Sequence, residues 1–352
     1  MRNGKLQNFQ HGGQIYNADG QADFKLDFSA NINPLGLPNT VRQALIKNLS
    51  GVVHYPDPNA AELKNALAKR YGVAHKNLVL LNGAAEFFYL YCNVMKPARV
   101  LIVVPSFSEY ERAARSVGTS IEYFFLREEE NFQLDVQKLF AKVTAEKFNC
   151  LMIGRPNNPT GNLISLDALK KLSTAVNILV DESFIDFLPI ESARELVNSK
   201  ISVVQSLTKI FAIPGLRLGF AVVEENLAQK LNFAKDVWNV NFLAQKAGVA
   251  ALADEKFLQD TRIWLDAEKK YFVEQLKTLP NIKVFEPTVN FILIRLQSKE
   301  LASVVVEKLR AEKILVRSCY NFAGLDERFL RLAIRNRNEN ELLLDALKKI
   351  LH

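Results

Sequence analysis

The sequence predicts an α/β fold with a mainly parallel central sheet, helices on both faces, and a smaller α+β domain. Short apolar runs of strand length alternate with helical stretches through the first two-thirds of the chain, and they lie at residues 78–81, 100–104, 150–153, 177–180, 201–204 and 220–223. Strands separated by helices imply crossover connections, which produce parallel strands and place helices on both faces of the sheet.

The two ends of the chain have other patterns. Residues 1–40 show little periodicity and many turn formers, so we expect an arm that packs with the small domain and the substrate site. An amphipathic helix is predicted from Ala60 to Tyr71. After Asn241 a helical region reaches about Thr278, and further elements follow at residues 282–285, 291–296, 301–312 and 329–334. We therefore predict an arm, a large ligand-binding domain and a small domain over residues 1–40, 41–240 and 241–352.

Composition narrows the class of protein. The chain has 352 residues, of which 49% are hydrophobic, so it can bury a large core, and its length favours two domains. Its net charge of +7 is spread along the chain, which argues against nucleic-acid or membrane binding and suits doubly anionic small substrates. No apolar run reaches the roughly 18 residues of a membrane span. We expect a soluble, cytoplasmic protein.

The cysteines support the same location. Cys92, Cys150 and Cys319 have neither the spacing of a metal site nor that of a disulfide framework. Two of them lie in apolar stretches, so we interpret them as reduced core thiols of a cytoplasmic protein. The sequence suggests no metal site.

The most informative segment is SLTKIFAIPGLRLGF at residues 206–220, because it gathers Ser206, Lys209 and Arg217 around one turn. Lys209 lies between an apolar strand and the turn at Pro214, so we expect its amine in a partly desolvated, cationic pocket. Such a setting lowers the pKa of a lysine and lets the free amine attack a carbonyl. Taken alone, the segment is equally compatible with a solvated loop lysine and a surface arginine.

Three further segments each place a polar turn directly after an apolar strand, and they are NGAAE at 82–86, RPNNPTG at 155–161 and DESF at 181–184. Open α/β sheets bind ligands outside the carboxyl ends of their strands, so these turns would share one site. Together with the Lys209 segment, their order resembles the fold-type I pyridoxal-phosphate enzymes, the aspartate aminotransferase superfamily. The resemblance implies an aspartate-aminotransferase-like fold, pyridoxal 5'-phosphate as cofactor, and Lys209 as the lysine that forms its Schiff base.

The resemblance also assigns contacts to the cofactor ring. Asp181 ends a buried strand, where a lone carboxylate is costly, and the pyridinium nitrogen would be its partner. Asn158 is similar to the family asparagine that hydrogen-bonds the phenolic oxygen. Phe107, in PSFSEYE, corresponds to the aromatic residue that stacks on the ring. The alternatives are a helix cap for Asp181 and a core position for Phe107.

A second set of residues would hold the cofactor phosphate. Gly83, Ala84 and Ala85 open a helix, whose N–H groups and dipole favour a bound anion. Ser206 and Arg217 would add a hydroxyl group and a forked cation. A helix that starts with small residues is by itself a weak signal.

Tyr55, in HYPDP, resembles the family tyrosine that reaches the cofactor phosphate from the neighbouring subunit. The resemblance therefore implies a homodimer with shared active sites. The alternative is that Tyr55 packs under its own loop.

Two arginines near the C-terminus are candidates for binding the substrate. Arg331, in FLRLAIR, matches the family arginine that holds an α-carboxylate through two hydrogen bonds, a task for which a guanidinium is better suited than an ammonium. Arg335, four residues on, would point to the same face of an extended strand and so could line the same pocket. An exposed position on the strand is the alternative for both. Together they suggest a substrate with two anionic groups.

The N-terminal segments HGGQIY at 11–16 and DFSANINPLG at 27–36 resemble the threonine-phosphate decarboxylases of the cobalamin pathway, a branch close to the histidinol-phosphate aminotransferases. When the roles of the family residues are carried over by position, His11, Gly12 and Gly13 would hold the substrate phosphate. Asn31 or Asn33 would line the substrate side of the site. A solvated arm is the alternative for His11.

Two positions depart from the pattern of the wider superfamily. Arg155 stands where a small or neutral residue usually precedes Pro-Asn-Asn-Pro, and we interpret it as a further phosphate contact or a specificity residue. Phe184 stands where aminotransferases usually have a tyrosine, which fits the decarboxylase branch.

We therefore expect decarboxylation of a phosphorylated amino acid. Its substrate would be L-threonine O-3-phosphate, giving (R)-1-amino-2-propanol O-2-phosphate, or L-serine O-phosphate, giving ethanolamine O-phosphate. The alternative is a histidinol-phosphate aminotransferase or a related class I/II aminotransferase, because both reactions use the same residues. A binding module without catalysis is disfavoured by the presence of both Lys209 and Asp181.

Overall fold

The computed structural model of the protein describes residues 11–17, 19–298 and 301–351. The strands are β1 Leu26–Asp27, β2 Leu78–Leu81, β3 Arg99–Val104, β4 Ser120–Phe125, β5 Cys150–Gly154, β6 Asn177–Asp181, β7 Ile201–Ser206, β8 Gly219–Val222, β9 Ile282–Val284, β10 Phe291–Leu296, β11 Ile314–Leu315, β12 Arg317–Ser318 and β13 Phe329–Ala333. The α-helices are α1 Asn39–Asn48, α2 Ala61–Tyr71, α3 Glu86–Met95, α4 Glu109–Ser116, α5 Val136–Glu146, α6 Leu166–Ser173, α7 Leu207–Ile210, α8 Glu225–Ala234, α9 Phe242–Leu252, α10 Glu255–Lys277, α11 Ala302–Ala311 and α12 Arg337–Leu351.

Local chemistry explains several helix ends. The side chains of Asp135, Ser165 and Asn241 accept hydrogen bonds from backbone N–H groups in the first turns of α5, α6 and α9. Such caps satisfy donors that have no partner inside the helix. Helix α2 ends at Gly72, whose φ of 68° is the left-handed conformation that favours glycine.

The central sheet has seven strands in the order β2-β8-β7-β6-β5-β3-β4. Strand β8 runs antiparallel to β2 and β7, whereas the other neighbouring pairs are parallel. The prediction of a mainly parallel sheet is confirmed. All six predicted apolar runs lie within one residue of a strand at each end, apart from β7, which continues to Ser206.

Helices cover both faces of this sheet, as predicted. Side chains along a strand alternate between faces. In β3, Ile102 and Val104 pack into a cluster with α3 and α4, whereas Leu101 and Val103 pack into a cluster with α5 and α6. The sheet is therefore the middle of three layers, and its strands are buried.

Four parallel strands end along one edge of the sheet. Strands β3, β5, β6 and β7 end at Val104, Gly154, Asp181 and Ser206. Because the carboxyl ends of parallel strands meet at one edge, the polar turns that follow them converge there.

A second, antiparallel sheet has the order β12-β13-β10-β9. The arm is tied to it, because the Ala333 N–H at the end of β13 donates to the Phe28 carbonyl at 2.9 Å. Strand β1 of the arm also pairs in parallel with β11, and the two form a separate two-stranded sheet. The arm thus packs against the C-terminal sheet, although residues 1–10 and 18 of the predicted arm lie outside the described residues. The domain boundaries at residues 40 and 240 stay predictions.

One strand of the central sheet was missed, and so were the two-residue strands β1, β11 and β12. Strand β4, SIEYFF, lies at the edge of the sheet and has partly exposed side chains, so it lacks the continuous apolar run that marked the others. All three cysteines are buried and free. Within the described residues, no helix combines the length and apolar character needed to cross a membrane.

Candidate active site

A cavity of about 280 Å³ lies at the carboxyl edge of the central sheet, between this edge, the arm and the second sheet. Twelve of the predicted site residues line it, and they are His11, Gly12, Asn31, Ala84, Ala85, Phe107, Asn158, Asp181, Ser206, Lys209, Arg217 and Arg331. They come from distant parts of the sequence, so their convergence follows from the topology of the sheet.

Lys209 lies in the short helix α7, directly after β7. Its Nζ donates to Ser206 Oγ at 3.3 Å and lies 5.8 Å from the centroid of the Phe184 ring. Burial lowers the pKa of Lys209 to about 8; Asp181 opposes this shift, and Arg217 and Arg331 add to it. The structure therefore has the partly desolvated, cationic setting that the sequence predicted, and a substantial fraction of the amine is neutral near pH 8.

Asp181 is the last residue of β6 and is buried. Its Oδ2 accepts a hydrogen bond from the Tyr110 hydroxyl at 2.8 Å, and its Oδ1 accepts one from the Ser183 N–H at 2.8 Å. These two bonds fix the carboxylate at the wall of the cavity. A carboxylate held there can pair with a protonated ring nitrogen of a ligand.

A second group of residues in the cavity wall is suited to an anion. Ala84 and Ala85 lead into α3, and the first N–H groups of a helix have no partner inside it. Arg217 reaches the same place, because a Cβ at Gly83 would lie 2.2 Å from Arg217 Nη2. Gly83 also has a φ of 84°, so glycine is needed both for the turn and for the close approach. The Ser206 hydroxyl caps α7 nearby.

Arg331 joins the second sheet to the central one. Its Nη1 donates to Asn158 Oδ1 at 2.6 Å and its Nη2 to the Ser29 carbonyl at 2.6 Å. Burial lowers the pKa of Arg331 to about 10, so the guanidinium still carries its charge at neutral pH. The side chain is 6% exposed, and Nε has no partner among the described residues.

The arm forms another wall. His11 lies beside Phe107, with ring centroids 5.6 Å apart, and both line the cavity. Asn31 also lines it, and its Oδ1 is buried with no hydrogen-bond partner among the described residues. An unpaired acceptor at the wall of a cavity is suited to a ligand that brings a donor.

Arg155 lies elsewhere, so the prediction that it contacts the substrate is corrected. Its Nη1 donates to Glu182 Oε1 at 2.7 Å and to the Glu191 carbonyl at 3.0 Å, and its Nε donates to the Ile164 carbonyl at 2.9 Å. Both side chains of the ion pair are buried. The buried carboxylate needs a cation, and Arg155 provides it.

Arg335 and Asn33 do not line the cavity either. Arg335 lies beyond the end of β13, and its Nη groups donate to the Asp27 carbonyl and to Glu339. The prediction assumed that the strand continued through it. Asn33 donates to the Ile210 carbonyl at 2.8 Å and to the Thr261 hydroxyl at 2.7 Å, so its amide secures the arm.

Neither Gly13 nor Tyr55 lines the cavity. The Gly13 N–H donates to Ser29 Oγ at 2.8 Å, which positions the arm beside the cavity. Tyr55 is 77% exposed and stacks on Trp238 with ring centroids 4.2 Å apart. Tyr55 therefore does not pack under its own loop, which was the alternative considered for it.

Sequence reasoning missed several residues of the cavity. Tyr110 holds Asp181, and Arg317, which is 7% exposed, lines the cavity from β12. Arg317 is the cross-strand partner of Arg331 in the register of β12 and β13. The signal for Arg317 was weak because β12 has only two residues. A strand so short has no detectable period.

Comparisons with known proteins agree with this geometry. The family "Aminotransferase class I and II" matches residues 24–347. The threonine-phosphate decarboxylase of Salmonella typhimurium is 38% identical to this chain over 98% of each chain. The adenosylcobalamin biosynthesis bifunctional protein CobDQ of Leptospira interrogans is 34% identical over 97% of this chain and 41% of its own length.

A solved structure is similar over nearly the same length. The histidinol-phosphate aminotransferase from Clostridium acetobutylicum superimposes with a TM-score of 0.85 and 32% identity, covering 93% of this chain and 99% of its own. The prediction of an aspartate-aminotransferase-like fold is thereby confirmed. The chain belongs to the aminotransferase class I and II family.

Proposed function

We propose that this protein is a pyridoxal-phosphate-dependent decarboxylase that converts L-threonine O-3-phosphate to (R)-1-amino-2-propanol O-2-phosphate in cobalamin biosynthesis. The observation that carries the proposal is one cavity that joins Lys209 and Asp181 to two buried arginines, Arg317 and Arg331. The similarity to the Salmonella decarboxylase supports the reaction, and the similarity to the Leptospira protein supports the pathway.

The residues of the cavity fit pyridoxal phosphate. When bound, this cofactor supplies an aldehyde that bonds to amines and a ring that withdraws electrons from the substrate. Lys209 would hold the aldehyde, and Asp181 would pair with the ring nitrogen. Asn158 and Phe107 would contact the ring. The phosphate would bind at the start of α3, and its contacts would come from Gly83, Ala84, Ala85, Ser206 and Arg217.

The remaining cations would bind the substrate. Arg331 would hold the α-carboxylate through its two Nη groups, exchanging its contacts with Asn158 and Ser29 for the ligand. His11, Gly12 and Arg317 would bind the phosphate, since they line the cavity and also share a second pocket beside it. Asn31 would accept a hydrogen bond from the substrate. A doubly anionic substrate requires such separate cations.

The chain's own residues would then control the reaction at the substrate Cα. The anchors set which bond at Cα lies perpendicular to the cofactor ring. With the carboxylate perpendicular, the bond between Cα and the carboxyl carbon breaks, CO2 leaves, and Lys209 donates a proton to Cα in its place. A lysine whose pKa is about 8 can both hold and release a proton near neutral pH.

L-Serine O-phosphate is the second candidate substrate. It lacks only the methyl group of threonine phosphate, and one methyl in a pocket changes selectivity by about 1–3 kcal/mol. A histidinol-phosphate aminotransferase is the second candidate function, because the Clostridium enzyme shares the fold over 93% of this chain. Its reaction would use the same lysine and carboxylate.

A homodimer is part of the proposal. Exposed apolar side chains occur on the segments around Tyr55 and Trp238, whose rings stack on each other. They include Ile46, Leu49, Val52, Val53 and Val237. Apolar surface of this kind is typical of a protein interface. Tyr55 would then reach the cofactor phosphate of the partner's site. We also propose a cytoplasmic location, consistent with three buried, free cysteines.

The reaction assay separates these functions. The purified protein, loaded with pyridoxal phosphate, is given threonine phosphate, serine phosphate or histidinol phosphate, with and without 2-oxoglutarate. We expect amine product from threonine phosphate without any 2-oxoacid, and less from serine phosphate. Turnover of histidinol phosphate that requires 2-oxoglutarate, with no decarboxylation of either other substrate, would overturn the proposal.

A further inference from the structure

The carboxylate of Glu109 lies beneath the arm at the start of α4. Its Oε1 accepts a hydrogen bond from His11 Nε2 at 2.7 Å, and its Oε2 accepts one from the Tyr89 hydroxyl at 2.5 Å. Arg112 Nη1 lies 3.6 Å from Oε1. The Glu109 residue is 6% exposed, and both of its oxygens already have partners. Glu109 is therefore suited to holding His11 and not to binding a ligand directly.

The protonation of the pair follows from its geometry. Burial alone would raise the pKa of Glu109, but hydrogen bonds from His11 and Tyr89 outweigh this effect and lower the pKa. Glu109 is thus an acceptor at neutral pH, which requires the proton of the hydrogen bond to reside on His11 Nε2. The other ring nitrogen, Nδ1, remains for a further partner, and it donates to a phosphate oxygen when it carries a proton as well. His11 lines the cavity, so a ligand in the cavity can be that partner.

Besides its bond to Glu109, His11 has one aromatic neighbour among the described residues. Its side chain is 42% exposed, and its ring contacts Phe107 at 5.6 Å between centroids. The next residue, Gly12, is packed tightly against the arm, because a Cβ there would lie 2.0 Å from the Ser29 carbonyl oxygen. The backbone is therefore fixed, whereas the rotamer of the imidazole depends on its contacts with Glu109 and Phe107.

We propose that Glu109, itself held by Tyr89, is a positioning residue that orients the His11 imidazole toward the phosphate of the substrate. This inference rests on the proposed function, which makes the substrate a phosphorylated amino acid. Glu109 acts through His11, so it touches neither the reacting atoms nor the substrate. The competing explanation is that the contact only fastens the arm to α4.

A matched control lies two residues away. Glu111 is in the same helix and is also buried, but it pairs with Arg115 at 2.6 Å, whereas Glu109 pairs with His11 of the arm. Glu109→Gln and Glu111→Gln remove the same charge from opposite sides of α4. Glutamine keeps the size of the side chain and one acceptor, so both variants should fold.

The test is a double-mutant cycle on the loaded enzyme with Glu109→Gln, His11→Ala and the double variant, and with Glu111→Gln as control. The Kd of inorganic phosphate is measured by calorimetry, and kcat and KM are measured with threonine phosphate. We expect Glu109→Gln to raise Kd and KM about tenfold with little change in kcat, as for a lost charge-assisted hydrogen bond. In the His11→Ala background the same substitution should add nothing further.

Two results would overturn the inference. One is that the losses of phosphate affinity caused by Glu109→Gln and His11→Ala add up in the double variant. If Glu109 acts through His11, its substitution can have no further effect once the imidazole is gone. The other is an equal rise in phosphate Kd for Glu111→Gln, which would indicate a general effect on α4. A failure of the proposed function would look different, because the unsubstituted enzyme would then not turn over threonine phosphate. The Kd values of inorganic phosphate would still show whether Glu109 acts through His11.

Discussion

Arg331 and Asn158 are joined by a hydrogen bond of 2.6 Å between Nη1 and Oδ1, across 173 residues of sequence. The contact connects β13 of the second sheet to the turn after β5 of the central sheet. It places a buried cation beside the residue proposed to contact the cofactor ring. The arginine that would hold the substrate carboxylate is therefore already positioned by a residue of the cofactor site.

Arg331→Lys should weaken substrate binding while leaving cofactor binding intact. A lysine has a single ammonium and cannot replace both Nη contacts, so we expect a loss of about 1.5–3 kcal/mol, or roughly 10- to 150-fold in KM. The measurement is KM for threonine phosphate together with the Kd of pyridoxal phosphate. Equal losses in both would place Arg331 outside the substrate site.

Lys209→Ala should abolish covalent capture of the cofactor. Treatment of the loaded protein with borohydride, followed by peptide mass spectrometry, should place the added mass of the reduced cofactor on Lys209 alone. The variant should lack this modified peptide and show no turnover. Lys235 is a useful internal control, because burial also lowers its pKa to about 8 although it does not line the cavity. Modification of Lys235 instead would contradict the assignment.

The pKa of Lys209 predicts a pH dependence of cofactor uptake. Only the free amine attacks the aldehyde, and the lowered pKa of about 8 means that this form increases as pH rises toward 8. We therefore expect the uptake rate of the cofactor-free protein to rise about tenfold per unit below this pKa and to level off above it. Stopped-flow absorbance from pH 6 to 10 measures the profile. A rate that keeps rising to the ordinary pKa of lysine would show that the site does not lower the pKa.

The buried pair of Arg155 and Glu182 should matter for stability and not for specificity. Arg155→Met leaves the Glu182 carboxylate without its cation, so we expect a loss of about 3–5 kcal/mol in the free energy of unfolding. Adding Glu182→Gln removes the unpaired charge and should recover much of this loss. Urea unfolding measures both.

Arg115→Met is the control for this pair, because Arg115 is 55% exposed and its ion pair with Glu111 should contribute less than about 1 kcal/mol.

KM for threonine phosphate should be unchanged in Arg155→Met at temperatures where the variant is folded. A selective rise in KM without a loss of stability would restore Arg155 to the substrate site.

The parts of the fold with strong local signals could be predicted from the sequence. Buried parallel strands such as β5 and β7 are continuous apolar runs, and the polar residues after them fall at one sheet edge because of topology. Edge strand β4 was missed because its side chains are partly exposed and follow no apolar run.

Predictions for the arginines failed where they depended on side-chain partners. Arg335 was placed by strand periodicity, but β13 ends at Ala333, so the two-residue alternation no longer applies. Arg155 looked like a free cation because its partner, Glu182, lies 27 residues away and is buried beside it only in the folded chain. Arg317 reaches the cavity through cross-strand pairing with Arg331, which no local pattern records.

Release of CO2 under conditions that exclude transamination separates a decarboxylase from an aminotransferase. The loaded protein is incubated with threonine phosphate and no 2-oxoacid, and CO2 and amine product are counted per protomer. A decarboxylase regenerates its cofactor, so we predict many equivalents of CO2 and an equal amount of aminopropanol phosphate. No CO2, with one equivalent of amino group transferred to the cofactor, would rule out the decarboxylase and identify an aminotransferase.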